Sequence, residues 1–241
     1  MHIQQGLTFA ISLGSSELLD VHFPGMETRP DAGYDIAIEF DCDNLANPEE
    51  TLSQLSQIKR HVLGGPLHKA FATLASKGTP AEAVAINYRK NEMMYVCPSS
   101  SKVVVVFLVD FADPTDQAIA RVFLKEFEEA QRTVRTAPPV AFTREPPREI
   151  LGIVGNYNTD AAGFLSFAFE DRHVLGAQLD VAVTMLTGFR TYLHYHIKCS
   201  KTYLHMRMRK RVAGWLQILN RAVPEVETEK KGASGKTFTR K

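Results

Sequence analysis

The stretch from Leu179 to Ala222 constrains the fold of this chain most, because it contains no proline and, after Asp180, no acidic residue. Large apolar side chains recur along it at alternating spacings of 7 and 4 residues: Leu186, Leu193, Ile197, Leu204, Met208, Trp215 and Leu219. Such an 11-residue repeat corresponds to about 3.67 residues per turn, so the apolar stripe hardly drifts around a straight helix. The pattern predicts one continuous helix over residues 179–222, about 60 Å long at about 1.5 Å per residue.

A helix of that length is longer than a compact domain of this size is wide. Its distal half therefore cannot pack on its own domain throughout, yet it keeps large apolar side chains along its stripe. Exposed apolar surface of that extent implies a partner. We predict a subunit interface along the stripe, formed by Leu193, Ile197, Leu204, Met208, Trp215 and Leu219.

The charges of the chain are strongly polarised, although its formal net charge is only +1. Residues 1–180 contain 15 Lys and Arg against 24 Asp and Glu, whereas residues 181–241 contain 13 Lys and Arg against three Glu. The last helix includes the basic run RMRKR at 207–211, and a helix that is merely solvated usually mixes both signs. The basic end predicts an acidic partner, and nucleic acid, an anionic membrane and an acidic protein surface all remain open at this point.

The composition, with 44% hydrophobic and 23% charged residues, is that of an ordinary globular protein. The longest unbroken apolar run, Val103–Val109, is far shorter than the roughly 20 residues that span a bilayer, so we expect no membrane insertion. The N-terminus has no basic start followed by an apolar stretch and does not resemble a secretory signal. Cys42, Cys97 and Cys199 are isolated and odd in number, which favours a reducing compartment, so we expect a cytoplasmic protein.

Residues 47–178 predict an α+β domain of two layers, an antiparallel sheet and helices. A helical pattern starts at Asn47-Pro48 and stops at Gly78, and Gly64-Gly65-Pro66 can kink it. A second helix opens at Asp113-Pro114. The strand candidates are residues 84–88, 93–96, 103–109, 140–142 and 164–169. The order is helix, three strands, helix, two strands, helix, and the consecutive short strands favour antiparallel pairing.

Residues 1–46 and 223–241 flank this domain and its long helix. Leu7–Leu13 and Tyr34–Phe40 alternate in polarity and predict two strands, with a short amphipathic segment at Ser15–Val21 between them. Two strands do not make a stable sheet alone, so this segment must complete its core on something else. The segment after Pro224 is polar, and we predict a basic flexible tail.

No motif in the sequence indicates a catalytic, cofactor or metal site. GASGKT at 232–237 departs from the phosphate-binding loop G-x-x-x-x-G-K-[ST], because Lys230 stands where the first glycine belongs. His194 and His196 point to different helix faces, and His196 with Cys199 supplies too few ligands for a metal. We interpret these histidines as packing or surface residues and expect a chain that is not an enzyme.

Six stretches of the sequence carry a recognisable pattern. They are NYRKNEMMYV (87–96), VFLKEFEEAQR (122–132), TAPPVAFTREPP (136–147), FRTYLHYHIKCSKTYLHMRMR (189–209), ILNRAVPE (218–225) and GKTF (235–238). Together they resemble the family of the 34-kDa subunit, subunit 2, of the actin-related protein 2/3 complex. The resemblance covers about residues 33–241.

The resemblance implies two similar α+β domains followed by a long C-terminal helix. Residues 1–46 would be a truncated first domain, 47–178 a complete domain, 179–222 an assembly helix and 223–241 a basic tail. In that family the long helix pairs antiparallel with the long helix of the 20-kDa subunit, at the core of the complex. The implied protein is a structural subunit of the cytoplasm and cytoskeleton, without a cofactor, that contacts the other subunits of the complex.

The family's subunit also contacts the mother actin filament, from which a daughter branch grows. Because actin is acidic, we predict a filament-facing basic surface formed by Arg132, Arg135, Arg207, Arg209, Lys210, Arg211, Arg221 and Lys236. The alternative is a basic-helix nucleic-acid-binding protein. If the chain is instead a subunit of the complex, no nucleic acid partner is expected. Nucleic acid would need the basic side of the helix and not the apolar stripe, whereas assembly requires the stripe.

Overall fold

The computed structural model describes residues 27–28, 37–39, 47–89, 91–134, 136–222, 230–231 and 237–238. The chain divides into two compact units, residues 1–198 and 199–241. The strand predicted at Leu7–Leu13 and the segment Ser15–Val21 lie outside the described residues, as does most of Tyr34–Phe40. The shortened first domain therefore stays a prediction.

The first unit contains seven strands among its described residues. They are β1 (Glu27–Thr28), β2 (Ala37–Ile38), β3 (Val84–Arg89), β4 (Glu92–Pro98), β5 (Val103–Val109), β6 (Val140–Thr143) and β7 (Gly163–Phe169). β1 pairs with β2, and the other five form one antiparallel sheet in the order β3-β4-β5-β7-β6. Every strand predicted between residues 84 and 169 is present, and the prediction of an antiparallel α+β domain is confirmed.

The central strand β5 shows how the two faces of the sheet are covered. All seven of its side chains are buried. Val105 and Phe107 point into the larger core, which the helices cover. Val106 and Leu108 point into a smaller core that Ile150 and its neighbours cover from the connection between β6 and β7. Because both faces are covered, the strand is an unbroken apolar run instead of an alternating one.

Four helices lie in the described part of the chain. They are α1 (Pro48–Ser56), α2 (Ile58–Ala75), α3 (Pro114–Gln131) and α4 (Gln178–Ala222). The side chain of Asn47 accepts a hydrogen bond from the backbone N–H of Glu50 at the start of α1, and Asp113 accepts one from Thr115 at the start of α3. These caps satisfy donors that the first helical turn leaves free. The long C-terminal helix is confirmed as one continuous element.

The first predicted helix is divided at a different place from the one expected. The break falls at Gln57, and α2 runs without interruption through Gly64-Gly65-Pro66. These residues are buried, and a Cβ added at Gly64 would lie 2.7 Å from Cγ1 of Val183 in α4. Gly64 therefore allows the two helices to approach closely, which is a packing role and not a kink.

The described tail residues in the second unit form β8 (Lys230–Lys231) and β9 (Thr237–Phe238), which pair antiparallel. The sequence predicts a flexible tail over residues 223–241, and because most of that segment lies outside the described residues, the flexible tail stays a prediction. Strands of two residues are too short to show alternation in a sequence.

A buried ion pair and an aromatic contact attach the proximal half of α4, residues 178–198, to the sheet. Arg190 donates two hydrogen bonds to the Glu92 carboxylate, from Nη2 to Oε1 at 2.7 Å and from Nε to Oε2. Glu92 belongs to β4 and is only 7% exposed. One turn along the helix, His194 stacks with its ring centroid 4.3 Å from that of Phe111. Burial is the largest cause that lowers the pKa of His194, and the neighbouring charge of Arg190 lowers it further.

We predict that Arg190→Leu lowers the free energy of unfolding by about 3 kcal/mol, because it leaves the Glu92 carboxylate buried without its partner. The double variant Arg190→Leu/Glu92→Leu should recover much of that loss. Arg172→Leu is the matched control, since its 2.9 Å pair with Glu170 joins two exposed side chains and should contribute less than about 1 kcal/mol. Urea unfolding followed by circular dichroism measures these values, and equal costs for Arg190→Leu and Arg172→Leu would contradict the assigned role of the buried pair.

Candidate functional site

The apolar stripe of α4 changes from buried to exposed along the helix. Leu186, Leu193 and Ile197 are between 0% and 4% exposed and belong to the larger core of the first unit. The next four members of the stripe are between 44% and 68% exposed: Leu204, Met208, Trp215 and Leu219. We call these four residues the distal stripe.

This burial corrects the predicted subunit interface at two residues. Leu193 and Ile197 are 3% and 0% exposed and pack within the chain's own core. A partner therefore cannot reach them while the first unit is folded. The sequence could not separate them from the distal stripe, because the 7 and 4 spacing is the same on both sides of residue 198. The predicted interface is reduced to the distal stripe.

The basic residues of α4 lie on another side of the same helical segment. Arg207, Arg209, Lys210, Arg211 and Arg221 are all exposed. At about 100° per residue, four of them fall on one side, roughly a quarter turn from the distal stripe, and Arg209 falls elsewhere. We call those four residues the basic stripe: Arg207, Lys210, Arg211 and Arg221.

Arg207 is the member of the basic stripe whose side chain makes a specific contact. Its Nη1 donates a hydrogen bond of 2.8 Å to the Tyr203 hydroxyl, one turn earlier in the helix. Its guanidinium carbon also lies 5.6 Å from the centroid of the Tyr203 ring, within the range of a cation–π contact. Tyr203 therefore restricts the orientation of Arg207 before any partner binds.

The other predicted filament contacts are Arg132, Arg135 and Lys236. Arg132 is exposed at the C-terminal cap of α3, in the first unit. The nearby Glu128 carboxylate has a lowered pKa, caused first by its hydrogen bond from Lys125 and in smaller part by Arg132. Arg135 and Lys236 lie outside the described residues.

Sequence reasoning missed an apolar groove in the first unit. The groove has a volume of about 800 Å³ and lies between the start of α4, the end of α3 and strand β7. Its helical wall includes Val181, Met185 and Tyr192, which are exposed. These residues begin a second series with spacings of 4 and 7 that continues to His196 and Tyr203. That second series was the signal available in the sequence, and it lies on another side of the helix from the stripe that runs from Leu186 to Leu219.

Two of the three histidines of α4, His194 and His196, make packing contacts. His194 stacks on Phe111, and the His196 ring lies 4.2 Å from the ring of Tyr192 and 6.1 Å from that of Phe123. Among the described residues, no group of three or more His, Cys, Asp or Glu is arranged to hold a metal ion. In the same part of the chain, no helix is both long enough and apolar enough to cross a membrane.

An α+β domain with a long helix that exposes an apolar stripe and a basic stripe is typical of proteins that bind other macromolecules. Comparison with known families makes the class specific. Residues 5–226 match the family model described as the Arp2/3 complex, 34 kD subunit p34-Arc. The chain belongs to this family. The match begins nearer the N-terminus than residue 33, where the motifs placed the start of the resemblance.

Individual relatives agree with the family match. The chain is 38% identical over 254 residues to actin-related protein 2/3 complex subunit 2 of Schizosaccharomyces pombe, covering 95% of this chain and 80% of that protein. It is 36% identical over 228 residues to the protein of the same name from Dictyostelium discoideum, covering 93% of this chain and 77% of that protein. Nothing in these comparisons favours the nucleic-acid alternative.

The burial boundary in α4 generates a direct prediction about stability. Leu193→Asp would place an unpaired charge in the core and should lower the free energy of unfolding by about 4 kcal/mol or more. Leu204→Asp replaces a side chain that is exposed in the free chain, so it should change the free energy of unfolding by no more than about 0.5 kcal/mol. Thermal and urea unfolding of the purified variants measures the difference. Similar costs for the two substitutions would show that the boundary is misplaced.

Proposed function

We propose that this chain is a structural, non-enzymatic subunit of a cytoplasmic Arp2/3 complex, in which it holds subunits together and attaches the complex to an actin filament. The observation that carries the proposal is the distal stripe, whose four large apolar side chains are between 44% and 68% exposed. Complete burial of such a side chain stabilises an interface by about 1.5–3 kcal/mol. A soluble chain gains nothing from leaving them in water, so their natural environment is an interface.

The proposed occupant of the distal stripe is the long helix of the 20-kDa subunit. The family resemblance implies an antiparallel pairing of that helix with this one. The 11-residue repeat supports a partner of the same shape, because a stripe that hardly drifts along a straight helix can contact a second straight helix over its whole length. The basic stripe would remain accessible in such a pair, since it lies on a different side of α4.

The proposed target of the basic stripe is the acidic surface of the mother filament. From Val181 to Ala222 the helix contains no acidic residue, so nothing on the helix itself neutralises the basic stripe. Arg209, Lys210, Arg211 and Arg221 have no ion-pair partner within the part of the chain that the structure describes. Contacts between exposed charges are weak one by one, at about 0.2–1 kcal/mol each, so attachment would depend on several of them acting together. In this position the chain would support branching by holding other subunits against the filament.

Leu204→Asp tests the assembly part of the proposal. In co-expression with the other subunits of the Arp2/3 complex, a tagged Leu204→Asp chain should recover much less of the 20-kDa subunit than the unmodified chain does, because the charge would be buried without a partner. Ala213→Asp introduces the same charge on another side of the helix and should assemble normally. Full recovery of the complex with Leu204→Asp would refute the pairing along the distal stripe.

Charge reversal in the basic stripe tests the filament part separately. A complex carrying Arg207→Glu/Arg211→Glu should assemble but co-sediment less with actin filaments at low salt. The difference from the unmodified complex should shrink at high salt, because exposed charges are screened beyond about 8–10 Å. Arg209→Glu, on another side of the helix, is the control and should bind more nearly like the unmodified complex. Unchanged low-salt binding by the double variant would identify this stripe as a solvated surface only.

A further inference from the structure

Tyr203 holds the guanidinium of Arg207 in one orientation on the surface of α4. The two residues are four positions apart, so their side chains are neighbours on the helix. The hydroxyl of Tyr203 accepts a hydrogen bond of 2.8 Å from Nη1 of Arg207, and the guanidinium carbon lies 5.6 Å from the centroid of the ring. A long exposed side chain otherwise samples many rotamers. These two contacts restrict Arg207 although both residues are exposed.

The contact with Tyr203 leaves one edge of the Arg207 guanidinium open. Nη1 is used by the hydroxyl, whereas Nε and Nη2 make no hydrogen bond or ion pair with the part of the chain that the structure describes. The N–H groups of such an edge lie parallel and match the two oxygens of a carboxylate. Arg207 therefore presents a bidentate donor to a partner.

The pair of Arg190 and Glu92 shows what this edge of an arginine binds in the same chain. Arg190 donates from Nε and Nη2 to the two carboxylate oxygens of Glu92, with 2.7 Å between Nη2 and Oε1. In that pair the chain supplies its own carboxylate. Around Arg207 the sequence supplies none, since no acidic residue occurs between Asp180 and Glu225. The carboxylate for Arg207 has to come from a partner.

Arg207 differs in this respect from the other members of the basic stripe. Within the described residues, the side chains of Lys210, Arg211 and Arg221 make no hydrogen bond, ion pair or ring contact. A side chain that is already held in its binding orientation loses less conformational entropy on association. Arg207 is therefore the member of the stripe that is prepared for a directional contact, and the other three supply charge without a fixed direction.

We propose that Tyr203 is a positioning residue for filament attachment, which holds Arg207 so that its Nε–Nη2 edge forms a bidentate pair with a carboxylate on the filament surface. This inference rests on the proposed function, because the acidic filament is the partner. It names the chemical group that the basic stripe recognises and the side chain that orients the recognition.

Tyr203→Phe tests the positioning role, because it removes the hydroxyl and keeps the ring and every charge. A reconstituted complex carrying Tyr203→Phe should assemble and should bind actin filaments about threefold more weakly at low salt. Since no charge is lost, the ratio of its affinities at low and high salt should equal that of the unmodified complex. Arg207→Gln should weaken binding and also lower this ratio. Co-sedimentation over a range of filament concentrations measures both quantities.

A double-mutant cycle separates positioning from a general effect on the helix. In the Arg207→Gln background, Tyr203→Phe should cause no further loss, whereas in the Arg211→Gln background it should still weaken binding about threefold. Arg211 is the matched comparison, since it belongs to the same stripe and has no described contact with Tyr203.

Arg207→Lys tests the bidentate geometry, because lysine keeps the charge and lacks the paired N–H groups. It should bind about threefold more weakly, and Arg211→Lys should lose less.

Two results would overturn the inference and leave the proposed function standing. The first is an equal effect of Tyr203→Phe in the Arg207→Gln and Arg211→Gln backgrounds. The second is unchanged binding by Tyr203→Phe when Arg207→Gln binds weakly. Unchanged low-salt binding by both Arg207→Gln and Arg207→Glu/Arg211→Glu would overturn the filament part of the proposed function, and this inference with it.

Discussion

The packing of residues 178–198 of α4 against the five-stranded sheet is the interaction on which the other features depend. Leu186, Leu193 and Ile197 enter the larger core, and the Arg190–Glu92 pair fixes the helix to β4. Burial of each of these apolar side chains stabilises the folded chain by about 1.5–3 kcal/mol. Isolated helices are marginal in water, so this packing also supports the continuation of the same helix into the second unit.

The helix uses one periodicity for two purposes. Its 11-residue repeat places apolar side chains on a nearly straight line, and the described burial shows that the first part of this line belongs to the chain's own core. The same spacing then continues through Leu204, Met208, Trp215 and Leu219, where the side chains are exposed. The chain therefore buries the first part of the stripe in its own core and leaves the distal stripe exposed. That property fits membership of a family of complex subunits.

The five strands of the larger sheet and the start of α3 were predictable because each has a local signal. β5 is a run of seven apolar residues, and Asp113-Pro114 is a cap followed by proline. The features that escaped prediction join residues far apart in the sequence. Arg190 and Glu92 are separated by 98 positions, and the groove needs α3, β7 and α4 together. The boundary at which the stripe becomes exposed is set by the extent of the sheet, which no helical spacing encodes.

Hydrogen–deuterium exchange of the free chain and of the assembled complex tests the central claim most directly. The account predicts that amides of residues 186–198 are protected in both states, because Leu186, Leu193 and Ile197 hold this part of the helix in the core of the first unit. Amides of residues 199–222 should exchange much faster in the free chain and become protected on assembly. Equal protection of residues 199–222 in the two states would contradict the claim that the distal half of α4 is completed by a partner.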